Sequence, residues 1–474
     1  MANSAIRKAL EDGEGGEILG ESVGHLGKLY QANHYYDRAI SCYQLAMELD
    51  QQDPRWPYLL AFVHQERGEN ESVTGLLERV IAIAPSYSPA ILKLADSYFK
   101  LGQADKAETY YERRLGLSPG DPYALLGLAR IALDRLDWKA AQGRLEAAIQ
   151  SDPRFGDAYR LLATVHNYFG RMSAVEEALD QAGQCPRFHP AKDPWVDSLH
   201  ELCYDTEQLL VFGAKAITEF DVEKALNEFF RRAIELDPES VKANLAMGKA
   251  LFMIGDIEQA LKYLNKVIDL NPNSDEAYFH MGLIFRKKDA LKDAEKLFLK
   301  ALSLQTNNAN VHNNLGVTLL EQGRFQEAKE YLNKALEIYP EHINARYNLG
   351  MTLWGMGKVE EAVKQYRDVL EMKPKWAVAA NSLAWILATD KNQRLRDGEE
   401  AIQWALVACA GDGRKNPDYL DTLAAAYAEA GYFEQAIKAA EECLTLAEAV
   451  GDINLSQAVT RRIQLYREKE PFHK

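Results

Sequence analysis

Cys185, His189, His200 and Cys203 form a C-x3-H-x10-H-x2-C set. Two thiolates and two imidazoles are the donor types of a tetrahedral zinc site, which would staple the stretch that holds them. That spacing is not a standard finger's, and Cys203 equally suits an apolar helix face, so neither a metal nor a cofactor is expected. Gly20-Glu21-Ser22-Val23-Gly24 has the GxSxG form of a nucleophile elbow, but an elbow needs a strand before it, and the residues here open a helix. His200-Glu201-Leu202-Cys203 begins like HExxH and lacks the second histidine. No phosphate loop, paired catalytic carboxylates or triad stands out, so the chain is not expected to be an enzyme. A different chemistry, recognition of an extended backbone, is offered by a series of amides and aromatics. They are Phe279, His280, Asn310, Asn313, Asn314, Val317, Asn344, Tyr347, Asn348, Met351, Trp354, Asn381 and Trp385. An amide donates and accepts at once, while Tyr, Met and Trp give sequence-tolerant apolar contact.

What must position these residues is a repeat. A Gly or Ala preceded by a large apolar residue recurs at Gly27, Ala61, Ala95, Ala129 and Ala163, then at Gly213, Gly248, Gly282, Gly316, Gly350, Ala384 and Ala424. Within the runs 27–163 and 213–384 the step is 34 residues, with a single 35 between Gly213 and Gly248. Twelve residues further on comes Ala or Val in eleven of the twelve cases, from Ala39 to Ala436. Small residues at that spacing let two antiparallel helices approach across a short turn, often marked by Gly, as at Gly68, Gly102 and Gly323. Pro85, Pro119, Pro153, Pro238, Pro272, Pro340 and Pro374 each fall where a second helix should end. The reading is a helical hairpin, repeated twelve times.

These residues, and stretches such as ALKYLNKVIDLNP and EAKEYLNKALEIYP, resemble the tetratricopeptide repeat. The resemblance covers roughly Gly20 to Asp452, and LAWILAT…PDYLDTLAAAYAEAGYFEQAI is similar to the closing units of long bacterial members. It implies an all-α, right-handed α-solenoid of about twelve helix-turn-helix units with a C-terminal capping helix. It also implies protein partners. The expected organisation is a flexible lead-in at 1–19, repeats one to five at 20–186 and a non-repeat junction at 187–205. Repeats six to twelve follow at 206–452, then a cap helix and tail at 453–474. In the junction, Asp193 as N-cap and Pro194 as first residue predict one extra helix near 194–204, with Trp195, Leu199, Leu202 and Cys203 on one face. Repeat six carries one residue too many between Ala225 and Ala233, which predicts a local irregularity in its second helix.

Stepping by about 100° per residue puts the sites six, three and two before each Gly/Ala, and one, four and five after it, on the face away from the second helix. Stacking turns that face into a concave wall. In repeats seven to eleven it carries Lys242, Leu245, Lys249 and Phe252, and then the amides and aromatics named above. Asn314 and Asn348 resemble two rungs of the asparagine ladder in the O-GlcNAc transferase superhelix, though no transferase domain accompanies them. The asparagine of a carboxylate clamp would sit just after the Gly/Ala site, where this chain has Lys249, Leu283, Val317, Met351 and Trp385.

Composition fits this reading. The 474 residues are 47% hydrophobic and 26% charged, with a net charge of −15 that opposes binding to a phosphate backbone, so nucleic acid is not an expected partner. Five cysteines without a CxxC pair suit a reduced compartment. No secretory signal or membrane span is visible, so the expected location is cytoplasmic, or periplasmic if a leader has been trimmed. The expected function is a scaffold or adaptor that binds an extended protein segment in the C-terminal groove. The alternative is a regulatory or substrate-recruiting subunit for an enzyme on another chain, contacting it through its outer or N-terminal surface.

Overall fold

The computed structural model describes residues 16–69, 71–186, 191–411 and 414–474, and every regular element among them is helical. Five hairpins come first: Gly16–Ala32 with Tyr36–Leu49, Arg55–Glu66 with Glu71–Ile83, Ser88–Lys100 with Ala104–Leu117, Pro122–Asp134 with Trp138–Ser151, and Gly156–Tyr168 with Met172–Gln184. A junction follows, and then Thr206–Thr218 opens repeat six. The later first helices are Val241–Ile254, Asp275–Lys287, Ala309–Glu321, Ile343–Gly355, Ala377–Thr389 and Pro417–Glu429, each followed by its second helix, and Ile453–Arg467 closes the array. The first helix begins at Gly16, inside the stretch read from sequence as a lead-in. The chain forms two compact bodies, Met1–Tyr263 and Leu264–Lys474.

The hairpins start and stop for local reasons. Asp121, Asp205, Ser240, Asn308, Asp397 and Asn416 cap first or second helices, each accepting a first-turn backbone N–H. At the far end the chain reverses through one left-handed residue, such as Gly323 at φ 75°. There Gly323 and Arg324 donate back to the Leu320 and Leu319 carbonyls and finish the helix. Where a hairpin lacks glycine, His34, Leu136, Phe220 or Asp289 adopts the same conformation, at φ 60–62°. The extra residue of repeat six is absorbed as a π-helical stretch, Ala225–Phe230, so the helix continues to Leu236 without losing its packing face.

The Gly/Ala sites face their own second helices. A Cβ built on Gly316 would lie 2.7 Å from Leu332 Cγ and 3.3 Å from the Ala328 carbonyl oxygen. Both neighbours are fully buried, so neither has room to retreat. We therefore expect Gly316→Leu to destabilise the chain by about 1–3 kcal/mol through overpacking. Glu321→Ala, on the exposed end of the same helix, should change stability by less than about 0.5 kcal/mol. Urea midpoints compare the two directly, and equal midpoints would show the facing to be wrong.

Candidate protein-interaction faces

In the C-terminal body, side chains tie the first helices of repeats nine, ten and eleven to one another along one shared face. His342 Nε2 lies 3.1 Å from Asn310 Oδ1, Asn348 Nδ2 donates to Asn313 Oδ1 at 2.9 Å, and the Tyr347 hydroxyl lies 3.1 Å from Ser382 Oγ. The sequence-derived wall residues of repeats nine to eleven thus come together, but not all as free contacts. Asn313 was expected to line the groove. It is only 8% exposed and serves as the acceptor beneath Asn348. Asn314 is half-buried and spends its Nδ2 on the Asn310 carbonyl one turn back. What remains is acceptors: Oδ1 of Asn314 and of Asn348 meets no donor among the described residues, and Oδ1 of Asn381 is buried without one. Around them, Asn310, Asn344 and Met351 are exposed, and Val317, Tyr347, Trp354 and Trp385 are half-buried. Tyr347 is braced by the Trp376 ring at 5.1 Å. Phe279 and His280 of repeat eight lie edge to face, 5.3 Å apart, and both are half-buried.

One end of this face is covered by the chain itself. Beyond the helix Ile453–Arg467 the chain turns back across the first helices of repeats twelve, eleven and ten. Phe472 packs toward Trp385 with centroids 6.3 Å apart, and His473 Nε2 meets Glu429 Oε2 at 2.7 Å. The Lys474 backbone N–H donates to the Thr389 carbonyl at 2.7 Å, and its Nζ lies 4.9 Å over the Trp354 ring. The base of the turn is fixed by Arg462, whose guanidinium donates twice to Asp421, at 2.9 and 2.7 Å, and lies over the Trp385 and Phe472 rings. Sequence reasoning read 453–474 as a cap and passed over Phe472 and Lys474. An aromatic and a lysine after a proline that follows the helix were the only signal.

In the N-terminal body the equivalent face is filled more deeply. The junction lies across the first helices of repeats one to three. Trp195 stacks on Tyr87 with centroids 3.6 Å apart and meets Tyr58 edge-on. The Asp193 carboxylate, 7% exposed, accepts from the hydroxyls of Tyr58 and Tyr87 and has Lys93 Nζ 4.0 Å away. Asn33 clasps the far end, donating to the Leu202 carbonyl and accepting from the Tyr204 N–H. Between junction and helices remains a cavity of about 430 Å³ lined by Phe62, Glu66, Lys93 and Asp96, all at the face positions derived from the helix period. Burial pushes the Lys93 ammonium down and the Asp96 carboxyl up from their ordinary values.

The junction corrects two expectations. In place of one helix over 194–204 it forms a single turn, Pro194–Asp197, and a 3₁₀ turn, His200–Leu202. Arg232 is the cause: its guanidinium takes the carbonyls of His200, Glu201 and Cys203 at 2.7, 3.1 and 2.7 Å, competing with the helical ladder. Asp193 precedes the turn but does not cap it with its side chain, which is committed to the tyrosines. The three described members of the possible zinc set take separate places. The Cys185 thiol donates to the Gln181 carbonyl, the buried Cys203 thiol points to Asp205, and His200 lies 4.4 Å from the Phe212 ring. His189 falls outside the described residues, and among the described residues no three His, Cys, Asp or Glu side chains group as a metal site. Gly20-x-Ser22-x-Gly24 lies within the helix Gly16–Ala32, where Gly24 closely abuts the Trp56 ring, so there is no elbow.

Models described as tetratricopeptide repeat match residues 22–55, 64–131, 128–187, 216–283, 273–341, 307–375, 347–418 and 417–450. The chain is 25% identical over 268 residues to a Protein CTR9 homolog of Arabidopsis thaliana, covering 50% of this chain and 24% of that protein. It is 24% identical over 214 residues to the mouse protein O-mannosyl-transferase TMTC1, covering 38% of this chain and 21% of that one. It thus spans less than a quarter of the length of either relative. Among solved structures, PilF of Pseudomonas aeruginosa is 25% identical, with 47% of this chain and 98% of that chain covered and a TM-score of 0.41.

Proposed function

We propose, on the premise that this chain belongs to the tetratricopeptide-repeat family, that it is a non-enzymatic adaptor. It holds an extended segment of another protein against the inner face of repeats eight to eleven. Repeats of this family generally mediate protein–protein interactions, and among the described residues no helix is long and apolar enough to cross a membrane. The observation that carries the reading is the pair of amide acceptors, Asn314 and Asn348 Oδ1, that meet no donor among the described residues, beside half-buried Tyr347, Trp354 and Trp385. A passing backbone supplies N–H donors to the amides, while the rings cover its side chains without demanding one sequence. Among the described residues, only one end of the face is covered by the chain itself. In the N-terminal body the junction already lies on the equivalent face, which favours the C-terminal body as the site for a partner.

Selection of linear segments from a displayed peptide library, followed by titration of a selected segment at rising salt, tests the proposal. A linear segment whose affinity changes little with salt supports it, since this stretch of wall is mostly uncharged. The competing reading, a subunit that meets a folded enzyme through the acidic outer surface, predicts no linear binder and attraction that fades as salt rises.

A further inference from the structure

Within the adaptor reading, on which this step rests, the covered end of the face shows what kind of segment it accepts. We propose that the floor formed by Trp354 and Trp385 selects an extended segment carrying an aromatic residue and, two residues later, a lysine, and that Phe472–Lys474 occupy it in the unbound chain as a displaceable stand-in. Each part of the contact corresponds to a recognition element. Phe472 lies tilted against Trp385, an apolar contact that any aromatic can make. The Lys474 ammonium, 4.9 Å over the Trp354 ring, is a cation–π contact that rewards a cation at that place. The Lys474 N–H reaches the Thr389 carbonyl, left over at the end of the helix Ala377–Thr389, so the backbone is read as well. Glu429 meets the residue between them through His473 and tolerates any donor there.

The occupancy is shallow. His473 and Lys474 are exposed and Pro471 and Phe472 only half-buried, unlike the junction in the other body, where Leu199 and Asp193 are buried. Nor do Phe472–Lys474 extend to the acceptors of repeats nine and ten. Asn314 and Asn348 stay open to the rest of a partner segment, which would enter there and replace Phe472 and Lys474 with its own aromatic and lysine. A short tether keeps the internal segment at an effective concentration of the order of mM. It therefore suppresses weak binders and admits those that also engage the asparagines.

The test uses the full-length chain and a fluorescent nonapeptide with the sequence of residues 466–474, YREKEPFHK. Phe472→Ala with Lys474→Ala empties the floor; it removes the ring beneath Arg462 but leaves both Asp421–Arg462 hydrogen bonds and the residues of the helix Ile453–Arg467 in place. The peptide should bind this opened variant at least about tenfold tighter than it binds the parent chain, where the tethered copy competes. A peptide with its own phenylalanine and lysine replaced by alanine should lose that binding, as should an opened variant that also carries Trp385→Ala. Equal binding to parent and opened chains, or no preference over the alanine peptide, overturns the proposal. Unaltered circular dichroism and thermal midpoint in the opened variant exclude unfolding as the cause. Failure of the adaptor reading gives a different pattern: a library-selected segment would then be insensitive to Asn314 and Asn348. A selected segment that needs the asparagines but ignores Trp354, Trp385 and the opened state leaves the adaptor standing and removes this inference alone.

Discussion

Asp421→Ala is expected to lower stability by about 3–5 kcal/mol, because it strands the Arg462 guanidinium in a site where that side chain is only 10% exposed. In the native chain the two are joined by a paired hydrogen bond at 2.9 and 2.7 Å. Burial nonetheless pushes the Asp421 carboxyl up to about 6, against the opposing pull of Arg462. Taking two charges out of water offsets much of their mutual attraction, as in buried ion pairs generally, so the pair gives little net stability over an apolar substitute. The double change Asp421→Leu with Arg462→Met should therefore recover most of the loss, with a midpoint near the parent's or above it. Guanidinium-chloride midpoints for the three variants test this. A single mutant that unfolds like the parent would mean that water reaches Arg462 and that the closing helix is not held there.

Trp195→Ala should destabilise the N-terminal body by about 3 kcal/mol, the lower end for removing a tryptophan from a packed site, since the ring is half-buried. The loss is the Tyr87 stack at 3.6 Å and the Tyr58 edge contact. Without the ring, the Asp193 carboxylate beside it loses its shield from water. Amide exchange should speed up at Ser88–Lys100 and Arg55–Glu66, which carry or adjoin those tyrosines, before it does so at Trp138–Ser151. Uniform exchange throughout the body would contradict the description of the junction as a plug on the inner face of repeats one to three.

The sequence carries some of these features openly and hides others. The rhythm from Gly27 to Ala424 is legible because close helix approach has one cheap solution, a missing side chain, and Gly316 against Leu332 shows it at work. The face rule that follows from the helical period also holds where it was not applied, placing Phe62, Glu66, Lys93 and Asp96 around the N-terminal cavity. Turns built on Leu136 or Asp289 were not legible as such, because the hairpin's packing imposes a left-handed residue whether or not glycine is there to favour it. The broken junction helix depends on Arg232, about thirty residues away in sequence, capturing its carbonyls. Local propensity contains no sign of that. The candidate wall was legible as a set of residues but not as a network. That Asn348 donates to Asn313, and that Lys474 returns over Trp354, are tertiary facts.

The central claim is that an extended segment is held on the inner face of repeats eight to eleven through the asparagine acceptors. Calorimetric titration of one library-selected segment into the parent chain and into Asn314→Ala with Asn348→Ala tests it most directly. Both side chains are half-buried at the surface, so the double variant should keep its fold. Each lost hydrogen bond is worth about 0.5–1.5 kcal/mol, so affinity should fall by a factor of roughly five to a hundred while remaining insensitive to salt. Unchanged affinity in the double variant, together with binding that weakens steeply as salt rises, would contradict the account and place the contact on the acidic outer surface.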